Sequence, residues 1–556
     1  ARYHSRLEHR LQRLRAWREL KRHSLARTTL DWTAIPERHV AEAPPHHPYA
    51  ADLDLTGHHS LLTLLDTTIS TTGWERLKHW LLDQDTRPPT SMEWETRRTL
   101  IMELSRLSIL RDRLALEASG LDQTQIDGAR IRAVLEHPIG FRSLVPLLMI
   151  EALLAITTIG LVLWSVLAGA PDYGVLSFSL YVAIYLFANV KLAPIFSRAL
   201  TLHHELEKLT GVFSYLERRA YAATPALGRA IAPLITGPGR PSLHLRAVSR
   251  DTAALSVRAN PIAHVLLNAL MPWDLLYTYR LERCRSRLLA LTDGWLETLA
   301  ELEAASALAG FAARHPGYRW PTRIAIETQA AGNGQMPSLR ARALAHPLLP
   351  ARSRVANDVE LQGVGRLLLI TGSNMSGKST FLRTIGINLC LAQAGAPVCG
   401  ASFDWTWLRL YCCIRVDDSL EEGLSFFYAE VQRLKSLLDA ARAWDRPPVL
   451  FLIDEIFKGT NNRERLLGSR SYIRALAEGN AFGLITTHDL ELTELEREIP
   501  NATNAHFQET VEDATLKFDY RLRSGPCPTT NALRIMALQG LPVPSDPSAP
   551  SSPHSD

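Results

Sequence analysis

Cysteine is scarce and unpatterned in this chain. Its six residues, Cys284, Cys390, Cys399, Cys412, Cys413 and Cys527, include no CxxC pair and no paired Cys/His ligand spacing, so neither a disulfide framework nor a zinc site is indicated. Net charge is nearly absent as well: 61 Lys and Arg stand against 57 Asp and Glu. A histone-like polycation is excluded, and any affinity for a polyanion has to be local. Nothing in the balance of 46% hydrophobic and 21% charged residues departs from a globular protein, which excludes global disorder and collagen. Long apolar runs are missing from all but one stretch. At 556 residues the chain is long enough for several domains and a large core.

The one apolar stretch lies between Leu144 and Phe196. Nineteen residues from Ala152 to Ala170 carry no charge, close to the roughly 20 needed to cross about 30 Å of hydrocarbon. A second run, Val175 to Val190, reaches spanning length if Lys191 snorkels, and Pro171-Asp172-Tyr173-Gly174 supplies a turn between the two. The pattern predicts a transmembrane helical hairpin over about 144–196. Arg142, Lys191 and Arg198 flank it and the turn has no Lys or Arg, so both ends are expected in the cytoplasm, making this a multi-pass protein of the cell membrane. The competing reading is a pair of helices buried in a soluble core.

Residues 1–49 read as a basic helix and linker, with eight Lys/Arg against two acids up to Leu25. The stretch 50–340 reads as a helical core. Within it, Leu202, Leu206, Leu209, Phe213, Leu216 and Ala220 form one stripe, and Leu281, Cys284, Leu288, Leu291, Trp295, Leu299 and Leu302 form another. Two long helices are expected there, able to pair antiparallel, while Ala223 to Pro272 has no clear pattern. From about 341 to 541, short apolar runs followed by helical patterns predict an α/β domain with a mostly parallel sheet. The Pro/Ser-rich residues 542–556 are expected to be disordered.

Within the α/β region, the apolar run Leu367–Ile370 enters Gly372-Ser373-Asn374-Met375-Ser376-Gly377-Lys378-Ser379-Thr380, which opens a helical pattern. This is G-x4-G-K-[ST] between strand and helix, where glycines let backbone N–H groups wrap a phosphate chain. Lys378 is expected at the β- and γ-phosphates of ATP, and the Ser379 hydroxyl on Mg²⁺. A second apolar run, Val449–Ile453, ends in Asp454-Glu455, which places two carboxylates at the ligand-binding end of a strand. Asp454 is expected to hold Mg²⁺ through water and Glu455 to orient or deprotonate the attacking water. A third run ends at His488, suited to sensing the γ-phosphate.

These residues resemble the MutS family of ATPases. TGSNMSGKST (Thr371 to Thr380) resembles the family's phosphate loop, Leu452-Ile-Asp-Glu-Ile456 with Gly459-Thr460 its second acidic strand, and Ile485-Thr-Thr-His488 its histidine strand. Asp417 to Glu430 resembles the family's DD-x-x-x-G-x-S-x-F-x-x-E loop. The resemblance implies an ABC/MutS-type P-loop NTPase joined to an all-α lever and core domain. It also implies a head-to-tail homodimer in which Ser425 reaches the partner's γ-phosphate, with Val355 and Tyr520 near the base. Several features depart from the family. Only about fifty residues precede the core, so a mismatch-reading domain is not expected; the apolar hairpin interrupts the lever; and Glu464 stands where the family has aspartate. The expected function is a membrane-anchored ATPase driving lever-helix motion, with sequence-independent DNA binding and unidentified protein partners both open. A transporter ATPase, opposed by the lack of an LSGGQ-type signature, and a nucleotide-gated scaffold are the alternatives.

Overall fold

The computed structural model describes residues 2–83, 88–118, 126–136, 144–169, 171, 173–236, 240–325, 336–373, 375–415, 426–458, 460–512 and 515–527. Compactness divides the chain into two units, one from 1–22, 66–79 and 99–313, the other from 23–65, 80–98 and 314–556.

Helices come first along the chain: α1 (Arg2–Thr29), α2 (Leu61–Leu65), α3 (Thr71–Leu82), α4 (Ser91–Ser105), α5 (Ser108–Ala118) and α6 (Gly128–Glu136). They are followed by α7 (Leu144–Ala168), α8 (Gly174–Glu217), α9 (Pro225–Ala230), α10 (Ala232–Ile235), α11 (Pro241–Leu255), α12 (Pro261–Leu270) and α13 (Trp273–Arg314). Among its described residues, the regular elements of the first unit are helices. Leu209, Val212, Phe213 and Leu216 of α8 are buried, as are Leu288, Trp295, Leu299 and Leu302 of α13, and the Phe213 and Trp295 rings lie 6.2 Å apart. Leu209, Phe213 and Leu216 of the first stripe therefore face a core, while Ala220 at its end is exposed, and most of the second stripe is buried. The helix laid along α8, however, is α11, from the stretch in which the sequence shows no clear pattern. Its start is fixed by Glu217, whose carboxylate accepts hydrogen bonds from the Ser242 amide and hydroxyl.

The helix α7 contains the one described segment long and apolar enough to cross a membrane, Val145–Ala168, and only 6% of its most apolar window is buried. The helix is therefore not buried inside this chain. The expected transmembrane hairpin is not supported as such: in α8 the apolar stretch is Gly174–Val190, below spanning length, and the helix then continues with charged residues. The two helices still pack together, with the Thr158 hydroxyl donating to Ser177 Oγ across 2.8 Å. Arg142 and Asp172 lie outside the described residues.

The second unit carries two sheets. A four-stranded sheet has the order β1 (Thr322–Arg323), β5 (Ser402–Trp405), β2 (Ser338–Leu344), β3 (Asn357–Gln362). A six-stranded sheet has the order β10 (Thr515–Ser524), β9 (Ala502–Glu512), β4 (Leu367–Thr371), β8 (Ala481–Thr487), β7 (Val449–Asp454), β6 (Arg409–Cys413), parallel throughout except for the β9–β10 pair. Around it lie α14 (Lys378–Gln393), α15 (Phe426–Ala441), α16 (Asn462–Ala477) and α17 (Leu495–Glu498). All of β8 and all of β7 except Asp454 are buried, which is why these strands read as uninterrupted apolar runs. The parallel arrangement brings the C-terminal ends of β4, β8 and β7 side by side, and the pairs Thr371↔Thr487 and Asp454↔Thr486 fix their register.

Candidate functional site

The three strand ends meet at a cavity of about 750 Å³, whose wall includes Lys378, Ser379, Asp454, Glu455 and His488. Because β8 lies between β4 and β7, His488 falls between the glycine loop and the two carboxylates. The loop reverses the chain with Gly372 at φ 147°, Met375 at φ 69° and Gly377 at φ 103°. Glycine is required at the first of these. A Cβ on Gly372 would stand 2.7 Å from the Phe507 carbonyl oxygen and 3.0 Å from Ser376 Oγ. Gly377 caps α14 with no side-chain hydrogen bond, so the helix begins with its N–H groups facing the cavity.

Lys378 folds back over the loop, its ammonium donating to the carbonyls of Gly372 (2.7 Å) and Ser373 (2.8 Å) and lying 3.4 Å from His488 Nε2. Burial lowers its pKa, an effect that Glu455 and Asp454 oppose. The Ser379 hydroxyl donates to Asp454 Oδ2 at 2.6 Å, and Thr486 donates to the other carboxylate oxygen. Glu455 sits at φ 63°, a strained conformation for a side chain of this size, at the point where β7 ends. Its Oε1 is 2.7 Å from His488 Nε2, and this contact holds the carboxyl below the ordinary glutamate value. A hydroxyl paired with a carboxylate at the foot of a phosphate-type loop is a hard oxygen donor set suited to Mg²⁺. A cradle that no Cβ can enter is suited to a polyphosphate.

Val355 and Tyr520, expected at the base, both line the same cavity, as does Thr380. Tyr520 takes φ 54° at an irregularity in β10, which Asn357 clasps from β3. The Asn357 amide donates to the Tyr520 carbonyl at 2.9 Å and its oxygen accepts the Leu522 amide at 2.8 Å. Ser373 donates to Glu509 at 2.7 Å, and Ser376 donates to the Ser373 carbonyl at 2.8 Å. Asn374, Ser425 and Gly459 lie outside the described residues.

Several further side chains contribute. Thr486 is visible only as the residue two before His488. His346, on the cavity wall, is kept neutral because burial lowers its pKa to about 4. Glu430 closes the Asp417–Glu430 motif, and its buried carboxylate accepts the Lys458 amide. Glu464 has a structural part: Asn461 caps α16 by accepting the Glu464 amide at 3.0 Å, and Thr460 donates to the Glu464 carboxylate at 2.9 Å.

Residues 368–546 match the family model of MutS domain V. This segment resembles that domain. Similar proteins include "Endonuclease MutS2" of Thermomicrobium roseum, 35% identical over 209 residues, which are 37% of this chain and 25% of that protein. "DNA mismatch repair protein MutS 2" of Haloarcula marismortui is 33% identical over 178 residues, 32% of this chain and 18% of that one. "DNA mismatch repair protein MutS" of Thermus thermophilus is 32% identical over 263 residues, 47% of this chain and 30% of the other. The chain thus spans less than a third of the length of these relatives. The domain V match takes in the glycine loop from Gly372, both carboxylates, His488 and Tyr520.

Proposed function

We propose that this chain is a membrane-anchored MutS-type ATPase, which hydrolyses ATP to ADP and phosphate and uses the nucleotide cycle to move its helical unit. The observation that carries the reading is the convergence on one cavity of Lys378 at a glycine loop, the Ser379–Asp454 pair and the Glu455–His488 pair. Ser379 and Asp454 would hold Mg²⁺, which supplies charge neutralisation to the phosphates. Lys378 holds the phosphate chain, and Glu455, ionised beside His488, orients or takes a proton from the attacking water. Val355 and Tyr520 face the base. As in the family, the working form is a head-to-tail homodimer completed by Ser425 of the second copy. The test is steady-state phosphate release: Lys378→Ala abolishes it, and undiminished turnover in that variant sinks the assignment.

Membrane anchoring is supported by α7, where Leu153, Ile156, Ile159, Val166 and Leu167 are all exposed. Residues on both sides of the apolar helices belong to one compact unit, with α5 packed on α8. A chain that enters the bilayer through α7 must therefore return through α8. Seventeen apolar residues from Gly174 to Val190 rise about 26 Å, a shortfall that local thinning and snorkelling accommodate. The ATPase unit then lies on the cytoplasmic side of the cell membrane.

Sequence-independent DNA binding is the second reading. It rests on the names of two relatives as mismatch-repair proteins and on the basic, mostly exposed α1. Binding that weakens steeply with salt supports it, and no binding with or without ATP removes it.

A further inference from the structure

Ala259 to Trp273 is another stretch without Asp, Glu, Lys or Arg, and its only titratable side chain is His264. It forms α12 and the turn into α13, and α12 is sharply two-sided. Ile262, Val265, Leu266 and Leu270, at helical spacings of three and four, are 82%, 65%, 59% and 59% exposed. The opposite side is polar and turned inward, with Asn268 buried and His264 half-buried. These inward groups are hydrogen-bonded, His264 Nε2 to Asp274 Oδ2 at 2.7 Å and Asn268 Oδ1 to the Asp274 amide at 3.1 Å. Polar groups inside and large apolar groups outside reverse the order that water imposes.

The inner side meets α8, and the contacts step backwards along it. Arg258, just before α12, donates to Asn189; the Tyr185 hydroxyl lies 3.4 Å from His264 Nε2; and the Tyr181 hydroxyl donates to the Asn268 carbonyl. The helix thus runs antiparallel to α8 beside its apolar stretch, over the eight residue steps from Asn189 back to Tyr181, or about 12 Å. Its foot is set by Arg258, next to Val190, where the uncharged part of α8 ends. Ten residues rise about 15 Å, half of the roughly 30 Å hydrocarbon core, so α12 is too short to cross and long enough to reach the middle. At its start Asn260 caps the helix by accepting the Ile262 and Ala263 amides, and Pro272 follows its end.

We propose that α12 is a third membrane-embedded element, a re-entrant helix that dips into the bilayer from the cytoplasmic side, its Ile262–Val265–Leu266–Leu270 face covered by lipid hydrocarbon. The proposal rests on the membrane reading of α7 and α8. It follows from the contacts of α12 with the apolar part of α8, from the missing charge and from the match of length to half the core. The inward polar side then packs on protein, where a low-dielectric surrounding requires it.

The test places an environment-sensitive fluorophore at Ile262→Cys, Leu270→Cys or, as control, Ile159→Cys in α7, in a full-length background with Cys284 and Cys527 replaced by serine. Each protein is reconstituted in phosphatidylcholine/phosphatidylglycerol vesicles carrying doxyl-labelled lipid. The expected result is loss of fluorescence to lipid-borne quencher at all three sites, none to aqueous iodide, and deeper doxyl positions favoured at Leu270 over Ile262. Quenching by iodide at Leu270 with the Ile159 label lipid-quenched overturns the re-entrant helix alone, as does equal shallow quenching at 262 and 270. Quenching by iodide at Ile159 as well overturns the membrane reading beneath it.

Discussion

Glu455 Oε1 stands 2.7 Å from His488 Nε2, so the carboxylate just after β7 is oriented by the residue just after the adjacent strand β8. The contact lowers the Glu455 pKa, and the ionised form prevails at neutral pH. The acid limb of the kcat profile is therefore expected below the ordinary glutamate range. His488→Ala removes the largest cause of the depression, so the limb moves to higher pH. The same pair adds stability above the unfolded glutamate value and loses it as pH falls through the lowered folded one. A kcat–pH profile of both proteins checks this, and coincident limbs contradict it.

At Gly377 a Cβ would stand 3.1 Å from the Tyr520 ring, on a backbone at φ 103°. Gly377→Ala is expected to strain the loop and displace the ring together, weakening nucleotide binding by roughly tenfold or more. Titration with a fluorescent ATP analogue reads it, with Tyr520→Ala relieving part of the defect in the double variant.

Asp52 is completely buried, and one carboxylate oxygen accepts the Ile414 and Arg415 amides while the other pairs with Arg433 of α15. Its carbonyl accepts from Arg383 of α14. One acid thus ties together the end of β6, the helix in which the Asp417–Glu430 motif ends and the helix that follows the phosphate loop. Asp52→Ala leaves a largely buried guanidinium without its partner, at a cost of about 3 kcal/mol in a denaturant midpoint series.

In the helical unit, Glu303 accepts the Ile69 and Ser70 amides and the Ser70 hydroxyl, ahead of α3. Burial raises its pKa to about 7. Its contribution is present below the unfolded value, about 4.3, and declines as pH rises through about 7. Glu303→Gln is expected to flatten that part of the stability profile. A methyl group on Gly73 would collide with the same carboxylate, so Gly73→Ala costs about 2 kcal/mol.

The chemistry of the site was legible because each part of it is local. A buried strand followed at once by Gly372–Thr380, by Asp454-Glu455 or by His488 needs no distant partner to be read. What brings these pieces together is not local: the placing of β8 between β4 and β7, Asp52 reaching Ile414 and Arg433, and Asn357 clasping Tyr520 are contacts across tens to hundreds of residues. Length limited the reading elsewhere. The run in α8 ends at Val190, short of a full span, and ten residues of α12 are too few to register as a membrane segment, so that region gave no pattern until its exposed face and its contacts with α8 were seen.

The most direct measurement is ATP binding and ATP turnover on the same preparation of Glu455→Gln. The account predicts retained Mg-ATP binding with kcat reduced by roughly 10²–10⁴-fold, because the phosphate cradle stays intact while the group that handles the attacking water is lost. Turnover equal to that of the unaltered protein would contradict the central claim that the cavity between β4, β7 and β8 hydrolyses ATP.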